Sequence, residues 1–284
     1  MRWLVVGASG MLGQEMVALL GARGEDVVGT TRTDLDVTDP VAVGTVVDGV
    51  GRYDIVVNCT AYAAVDAAET DEPAAFAVNA VAASYLARAS ARSGARLVHI
   101  STDYVFDGHA GEPYAEDAPA APRSAYGRTK VAGEWAVRAE CPDHLLVRTA
   151  WLYGAHGACF PKTIARAARE RSSLDVVADQ LGQPTWTADL ADLVHRLVQA
   201  GVPAGTYHGT SSGSTSWHGF AAAVVGAAGM DPAIVHPTTS EAFVRPAPRP
   251  AYSVLGHDAL RDAGIEPIGP WEDRWAAAAE SVLA

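Results

Sequence analysis

Residues 2–13 read RWLVVGASGMLG: an apolar run, then three glycines spaced by three, then the start of an amphipathic pattern. Arg2–Gly7 reads as a strand, and Gly10–Arg23 as a helix that buries Met11, Leu12, Val17, Leu19 and Leu20. Gly7 permits the tight turn between them. Gly10 lets backbone amides approach a pyrophosphate, and Gly13 lets the helix pack closely on the strand. A glycine pattern alone is a weak signal, but a strand before it and a helix after it make it a strong one. Gly7, Ser9, Gly10, Met11, Leu12 and Gly13 are therefore candidate dinucleotide-binding positions.

Outward from this turn the alternation continues. Asp26–Thr30 reads as a second strand, and Asp39 with Pro40 caps and opens a helix reaching Asp48. Asp54–Val57 is a third strand whose continuous apolar run implies burial on both faces. One long Ala-rich helix is expected over Glu72–Ser93, a fourth strand over Arg96–Ser101, a helix over Ser124–Ala139 and a fifth strand over His144–Thr149. This order implies the α/β class: a Rossmann-type doubly wound parallel sheet, with ligands beyond the carboxyl ends of its strands. Beyond Tyr153 the pattern loosens, with helices expected near Pro161–Arg171, Ala188–Gln199, Trp217–Ala228 and Trp271–Leu283. We read residues 1–154 as the NAD(P)-binding domain. Residues 155–284 read as a smaller, mainly substrate-binding C-terminal domain, with some segments returning to the Rossmann core. Within it, Tyr207–Trp217, rich in serine and glycine, reads as a lid or substrate loop.

Composition narrows the function. Of 284 residues 49% are hydrophobic, enough for a substantial core, and the net charge of −12 argues against a nucleic acid or an anionic membrane as partner. No run approaches the roughly 20 apolar residues of a membrane helix, and the N-terminal apolar run is a strand rather than a leader. A cytoplasmic location is expected. Cys59, Cys141 and Cys159 lie far apart, with no metal-ligand spacing, and suit a reducing compartment.

Three further features carry chemistry. Thr30-Thr31-Arg32 follows the second strand, where an acidic residue would grip a ribose 2′-hydroxyl and an arginine a 2′-phosphate. Arg32 thus favours NADPH, with NADH as the second choice, and Asp36-Val37 suits contact with adenine. Tyr126 and Lys130 stand four apart on one helix face. With only two lysines (Lys130 and Lys162) and nine tyrosines in the chain, that spacing would arise by chance about once in sixteen sequences. An ammonium there is expected to lower the phenol's pKa, so that Tyr126 can give its proton to a carbonyl oxygen as hydride arrives at carbon. Thr102 closes the fourth strand and can orient the same carbonyl, whereas Ser101, by strand alternation, should point elsewhere.

These motifs resemble the extended short-chain dehydrogenase/reductases and, within them, the dTDP-4-dehydrorhamnose reductase family. The resemblance runs over nearly the whole chain. Its more specific stretches are NCTAYAAVDAAE (58–69), FAVNA (76–80), STDYVFDG (101–108), YGRTKVAGE (126–134), RTAWLYG (148–154), DQLGQPT (179–185) and RPAPRPAYSVL (245–255). It implies Thr102, Tyr126 and Lys130 as the catalytic set, with hydride reaching C4 of a dTDP-linked 4-keto-6-deoxyhexose. It also implies Val65, Thr102, Asp103, Tyr104 and Trp151 as the sugar pocket, and Thr60, Ala61 and Asn79 as part of the cofactor cleft. Trp151 taken alone would read as core. Some members of the family dimerise through a magnesium held by glutamates. Glu15 matches one such position, but Ala188-Asp189 stands where another is expected, so no metal is implied; monomer and homodimer both stay open.

A sister 4,6-dehydratase would carry a carboxylate where Tyr104 stands, which argues against that activity. A nucleotide-sugar 4-epimerase with tightly held NAD would use the same Thr/Tyr/Lys set. A non-catalytic regulatory protein on the same fold would commonly have lost the tyrosine or the lysine, and this chain keeps both.

Overall fold

In the computed structural model, which describes residues 1–48 and 53–284, strand β1 (Arg2–Val6) lies inside a six-stranded sheet. It pairs in parallel with β2 (Asp26–Thr30) on one side and β3 (Ile55–Asn58) on the other. β4 (Arg96–Thr102), β5 (His144–Thr149) and β6 (Gly205–His208) extend the sheet beyond β3, all parallel, in the order β6-β5-β4-β3-β1-β2. The chain leaves β1 for β2 and then recrosses to β3, so a crevice opens above the carboxyl ends of β1 and β3.

The longer helices are α1 (Met11–Ala22), α2 (Pro40–Asp48), α3 (Ala82–Ser93), α4 (Ala125–Glu140), α5 (Phe160–Glu170), α6 (Thr187–Gln199), α7 (Trp217–Ala227) and α8 (Trp271–Leu283). The period of two in β1 sorts its side chains. Trp3 and Val5 pack with Met16 and Leu20 of α1 and Leu190 and Val194 of α6. Leu4 and Val6 pack on the opposite face with Val43 and Val47 of α2 and Leu86 of α3. A separate core gathers Tyr153, Ile164, Phe220, Val224 and Trp275 between α5, α7 and α8. Among the described residues, no helix is long and apolar enough to cross a membrane.

Two expectations are corrected. The helix expected over Glu72–Ser93 is not uniform: an α-helical turn at Glu72–Phe76 passes into one π-helical turn, Ala77–Val81, before α3 begins. A single inserted residue leaves the apolar pattern almost unchanged, and such turns collect at functional sites. The Tyr207–Trp217 lid is likewise overturned at its start, because Tyr207 and His208 belong to β6 and pair with Val147 and Arg148. Pairing with β5 satisfies the backbone of Tyr207 and His208, and the Gly209 N–H also donates to the Arg148 carbonyl at 2.7 Å.

Helix α4 is held by a buried ion pair. Glu134 is fully buried and Arg148, on β5, is 2% exposed. Arg148 donates through Nε and Nη2 to the two Glu134 oxygens at 2.9 and 2.8 Å, and Ser101 Oγ donates to the same carboxylate at 2.6 Å. Burial pushes the Glu134 carboxyl up, yet Arg148, Ser101 and Arg138 outweigh it and hold the group below the usual glutamate range. Glu134→Ala, which strands the Arg148 guanidinium, is expected to lower the unfolding free energy by about 3–5 kcal/mol in urea titrations. A loss of less than about 1 kcal/mol would show the pair to be dispensable.

Candidate active site

The turn after β1 has the shape of an anion cradle. Gly7 adopts a φ of 87°, and the N–H groups of Gly7 and Ala8 both donate to the Thr30 carbonyl at 2.9 Å. Gly10 caps α1 without a capping side chain, so the first-turn amides of Met11, Leu12 and Gly13 have no partner within the helix. A Cβ on Gly13 would lie 2.1 Å from the Gly7 carbonyl oxygen, so only glycine lets helix and turn approach this closely. Free amides, a positive helix end and a bare backbone fit a pyrophosphate.

Around the crevice, Arg32 is exposed just beyond β2. Asp36 closes a turn by accepting from the Thr38 N–H and hydroxyl at 2.9 and 2.6 Å, and Val37 is half-buried against the Leu35 cluster. Thr60 faces Gly7 across the crevice, while its own N–H and hydroxyl donate to Asn58 Oδ1. Ala61 is exposed. Asn79 lies in the π turn, fully buried, with its carboxamide spent on both backbone groups of Tyr62 and on the Thr129 hydroxyl. It therefore acts on the crevice by holding the loop after β3. Glu15 faces His156 at 3.9 Å, and Asp189 is bound bidentately by Arg274.

The catalytic candidates meet where β4 ends. Thr102 is the last residue of β4 and accepts the Tyr104 N–H at 3.2 Å, while its hydroxyl donates to Asp103 Oδ1 at 2.9 Å. Tyr126, in the first turn of α4, stands beside Thr102, with the Tyr104 ring edge-on at 5.7 Å. Ser101 points away, to Glu134. Lys130, one turn along α4 and 1% exposed, donates from Nζ to the Ile100 carbonyl at 2.7 Å. Burial pulls the Lys130 ammonium down to about 8. It also pushes the Tyr126 phenol up to about 12, with Thr102 opposing and Asp103 reinforcing. The expected lowering of the phenol is therefore not a property of the protein alone, because the loss of water around the oxygen outweighs it. Asp103 is pushed up to about 6, chiefly by burial against its bonds to Ser253 and Thr102.

The remaining pocket candidates flank this cluster. Val65 opens a short helix, Val65–Ala68, whose Asp66 accepts from Arg249 at 2.9 Å. Trp151 follows β5 with a φ of 46°, the only non-glycine residue in the left-handed region among those described. Its ring stacks on Trp217 at 3.6 Å, and a Cβ on Gly182 would lie 2.5 Å from it. Gln183 zips the tail in place: its amide accepts the Leu255 N–H at 2.8 Å and donates to the Leu255 carbonyl at 3.2 Å. That contact sets Ser253 against Asp103. Sequence reading singled out none of Asn58, His99, Gln183, Trp217, Arg249 or Ser253 for a role. Four of them lie inside the family-like stretches, which was the available signal.

The arrangement has relatives. The family model described as RmlD substrate binding domain matches residues 1–283. A probable dTDP-4,6-dihydroxy-2-methyloxan-3-one 4-ketoreductase of Streptomyces antibioticus is 50% identical, over 100% of this chain and 96% of that protein. A dTDP-4-keto-6-deoxy-D-glucose reductase of Streptomyces niveus is 49% identical, over 95% and 93%. The solved structure of a dTDP-4-dehydrorhamnose reductase from Bacillus anthracis, in complex with NADP, superposes with a TM-score of 0.94 at 38% identity, covering 98% of each chain. For the tryptophan stack, Gly182→Ala is expected to force the Trp151 indole off Trp217, costing about 1–3 kcal/mol of stability and changing the intrinsic fluorescence. Unaltered emission and melting temperature would mean that the ring relaxes freely.

Proposed function

The chain belongs to the RmlD substrate-binding-domain family, and from this membership and the geometry at the end of β4 we propose that it reduces the C4 keto group of a dTDP-4-keto-6-deoxyhexose to the alcohol with NADPH. The observation that carries this reading is the meeting of Thr102, Tyr126 and Lys130 above the crevice that the glycine turn opens.

The dinucleotide supplies hydride. The protein supplies the rest. The first-turn amides of α1 would hold the pyrophosphate, and Arg32, exposed beyond β2, would pair with a 2′-phosphate, which is the reason for preferring NADPH to NADH. A sugar carbonyl enters between the β4 end and the Trp151 ring, with Val65, Asp103 and Tyr104 around it. The Thr102 hydroxyl orients the carbonyl oxygen, and the Tyr126 phenol donates its proton there as the carbon is reduced. A phenol held near 12 keeps its proton until negative charge develops on that oxygen, as a general acid must. Lys130, one turn along the same helix, would stabilise the phenolate for as long as it carries its own proton.

The test is to supply dTDP-4-keto-6-deoxyhexoses with NADPH or NADH, follow loss of the nicotinamide absorbance, and determine the product's configuration. Tyr126→Phe is expected to cut turnover by roughly 10²–10⁴ with dinucleotide binding kept. Near-normal turnover of that variant would end the assignment. Arg32→Ala should raise the KM for NADPH by about tenfold or more and leave that for NADH unchanged, in line with the loss of one charge-assisted contact. Protein purified with stoichiometric NAD, and active without added cofactor, would point to an epimerase instead.

A further inference from the structure

Lys130 has a second neighbour besides the Ile100 carbonyl: Nε2 of His99, 3.5 Å from Nζ. His99 lies on β4 directly across from Asn58 of β3, and each is 1% exposed. Asn58 Oδ1 already accepts from the Thr60 N–H and hydroxyl, which settles which way the carboxamide is turned. Its NH2 group therefore faces His99 Nδ1, at 3.0 Å. An amide NH2 only donates, so Nδ1 must accept, and a neutral ring must carry its proton on Nε2, toward the lysine. An ammonium has donors alone and meets that N–H unfavourably, whereas a neutral amine has a lone pair to receive it.

We propose that His99, with its tautomer set by Asn58 and Thr60, is a positioning residue that biases buried Lys130 toward the neutral amine. The chain Thr60–Asn58–His99–Lys130 links the loop that faces the glycine turn to the catalytic lysine. The other charged or titratable groups around the pair are few. Glu134, on α4, favours the ammonium but is already paired with Arg148 and Arg138. His144 and Lys130 both oppose charge on His99, and burial opposes it most, so the ring stays neutral and the tautomer argument holds across the working range. Burial by itself draws the lysine down to about 8, and the His99 N–H would act in the same direction. Only the place of Lys130 in catalysis rests on the reductase reading; the tautomer does not.

The chain has only two lysines, so ¹³Cε-lysine labelling gives two signals, and Lys162→Arg assigns them. In the wild type, ¹⁵N spectra of His99 should show the Nε2–H tautomer, and Lys130 should titrate near 8. Asn58→Asp keeps an acceptor for Thr60 but draws the ring proton to Nδ1, which turns Nε2 into an acceptor for the ammonium. The Lys130 midpoint, and with it the alkaline limb of kcat, is then expected to rise by roughly one pH unit or more. In a His99→Phe background the same substitution should lose most of that shift, since only its through-space charge remains. An Nδ1–H tautomer in the wild type, an unmoved midpoint in Asn58→Asp, or an equal shift with and without His99 would each overturn the proposal. The spectra read Lys130 without turnover, so failure of the keto-sugar assay would leave the role of His99 standing or falling on its own signals.

Discussion

Helix α4 can set a phenol and an ammonium over the end of β4 because it lies closer to its neighbours than side chains would allow. A Cβ on Gly127 would stand 2.3 Å from the Tyr104 carbonyl oxygen, and one on Gly133 would stand 2.1 Å from that of Asn79. Both partners are backbone, which cannot step aside as a flexible side chain can. One contact presses the helix onto the turn that carries Asp103 and Tyr104, and the other presses it onto the π turn. Between them Lys130 and Glu134 are driven into the protein, where each needs a partner. Glu134 has the Arg148 guanidinium, and Lys130 has a carbonyl and a histidine.

The same closeness explains the site's electrostatics. Lys130 and Asp103 are buried and Tyr126 half-buried, and desolvation displaces each toward its neutral form. The Lys130 and Asp103 pKa values are thereby drawn toward neutral pH, where a group can exchange a proton readily. The loop after β3 joins in through Asn79 and Asn58. Both amides are spent on protein partners, which couples the geometry of the crevice to that of α4.

On the other side of the cleft, packing is aromatic. Trp151 keeps a left-handed backbone because Gly182 leaves room for its indole and Trp217 covers the ring. Strain of this kind persists where the surroundings over-determine it. The tail is held by Gln183 and by the Arg249–Asp66 pair, so residues distant in the chain fix its place.

What could be read from residues alone was whatever depends on short spacing. The glycines of GASGMLG define a turn because steric limits act on single residues, and Tyr126 and Lys130 share a face because 3.6 residues make a helical turn. The alternation of strands and helices carried the sheet in the same way, and with it the position of Arg32 just beyond β2. Packing alone decided the rest. The pairing of Asn58 with His99 depends on the register of two strands 41 residues apart in sequence. The Trp151–Gly182–Trp217 stack depends on the end of β5, a short strand at Leu181–Gly182 and the start of α7 meeting, and β6 on a backbone that finds β5. Even the sign of the Tyr126 shift was non-local: the lysine four residues away predicted a lowered pKa, and burial by the whole fold reversed it. Local sterics and helical period are written in the order of residues, whereas desolvation and register belong to how the completed chain excludes water.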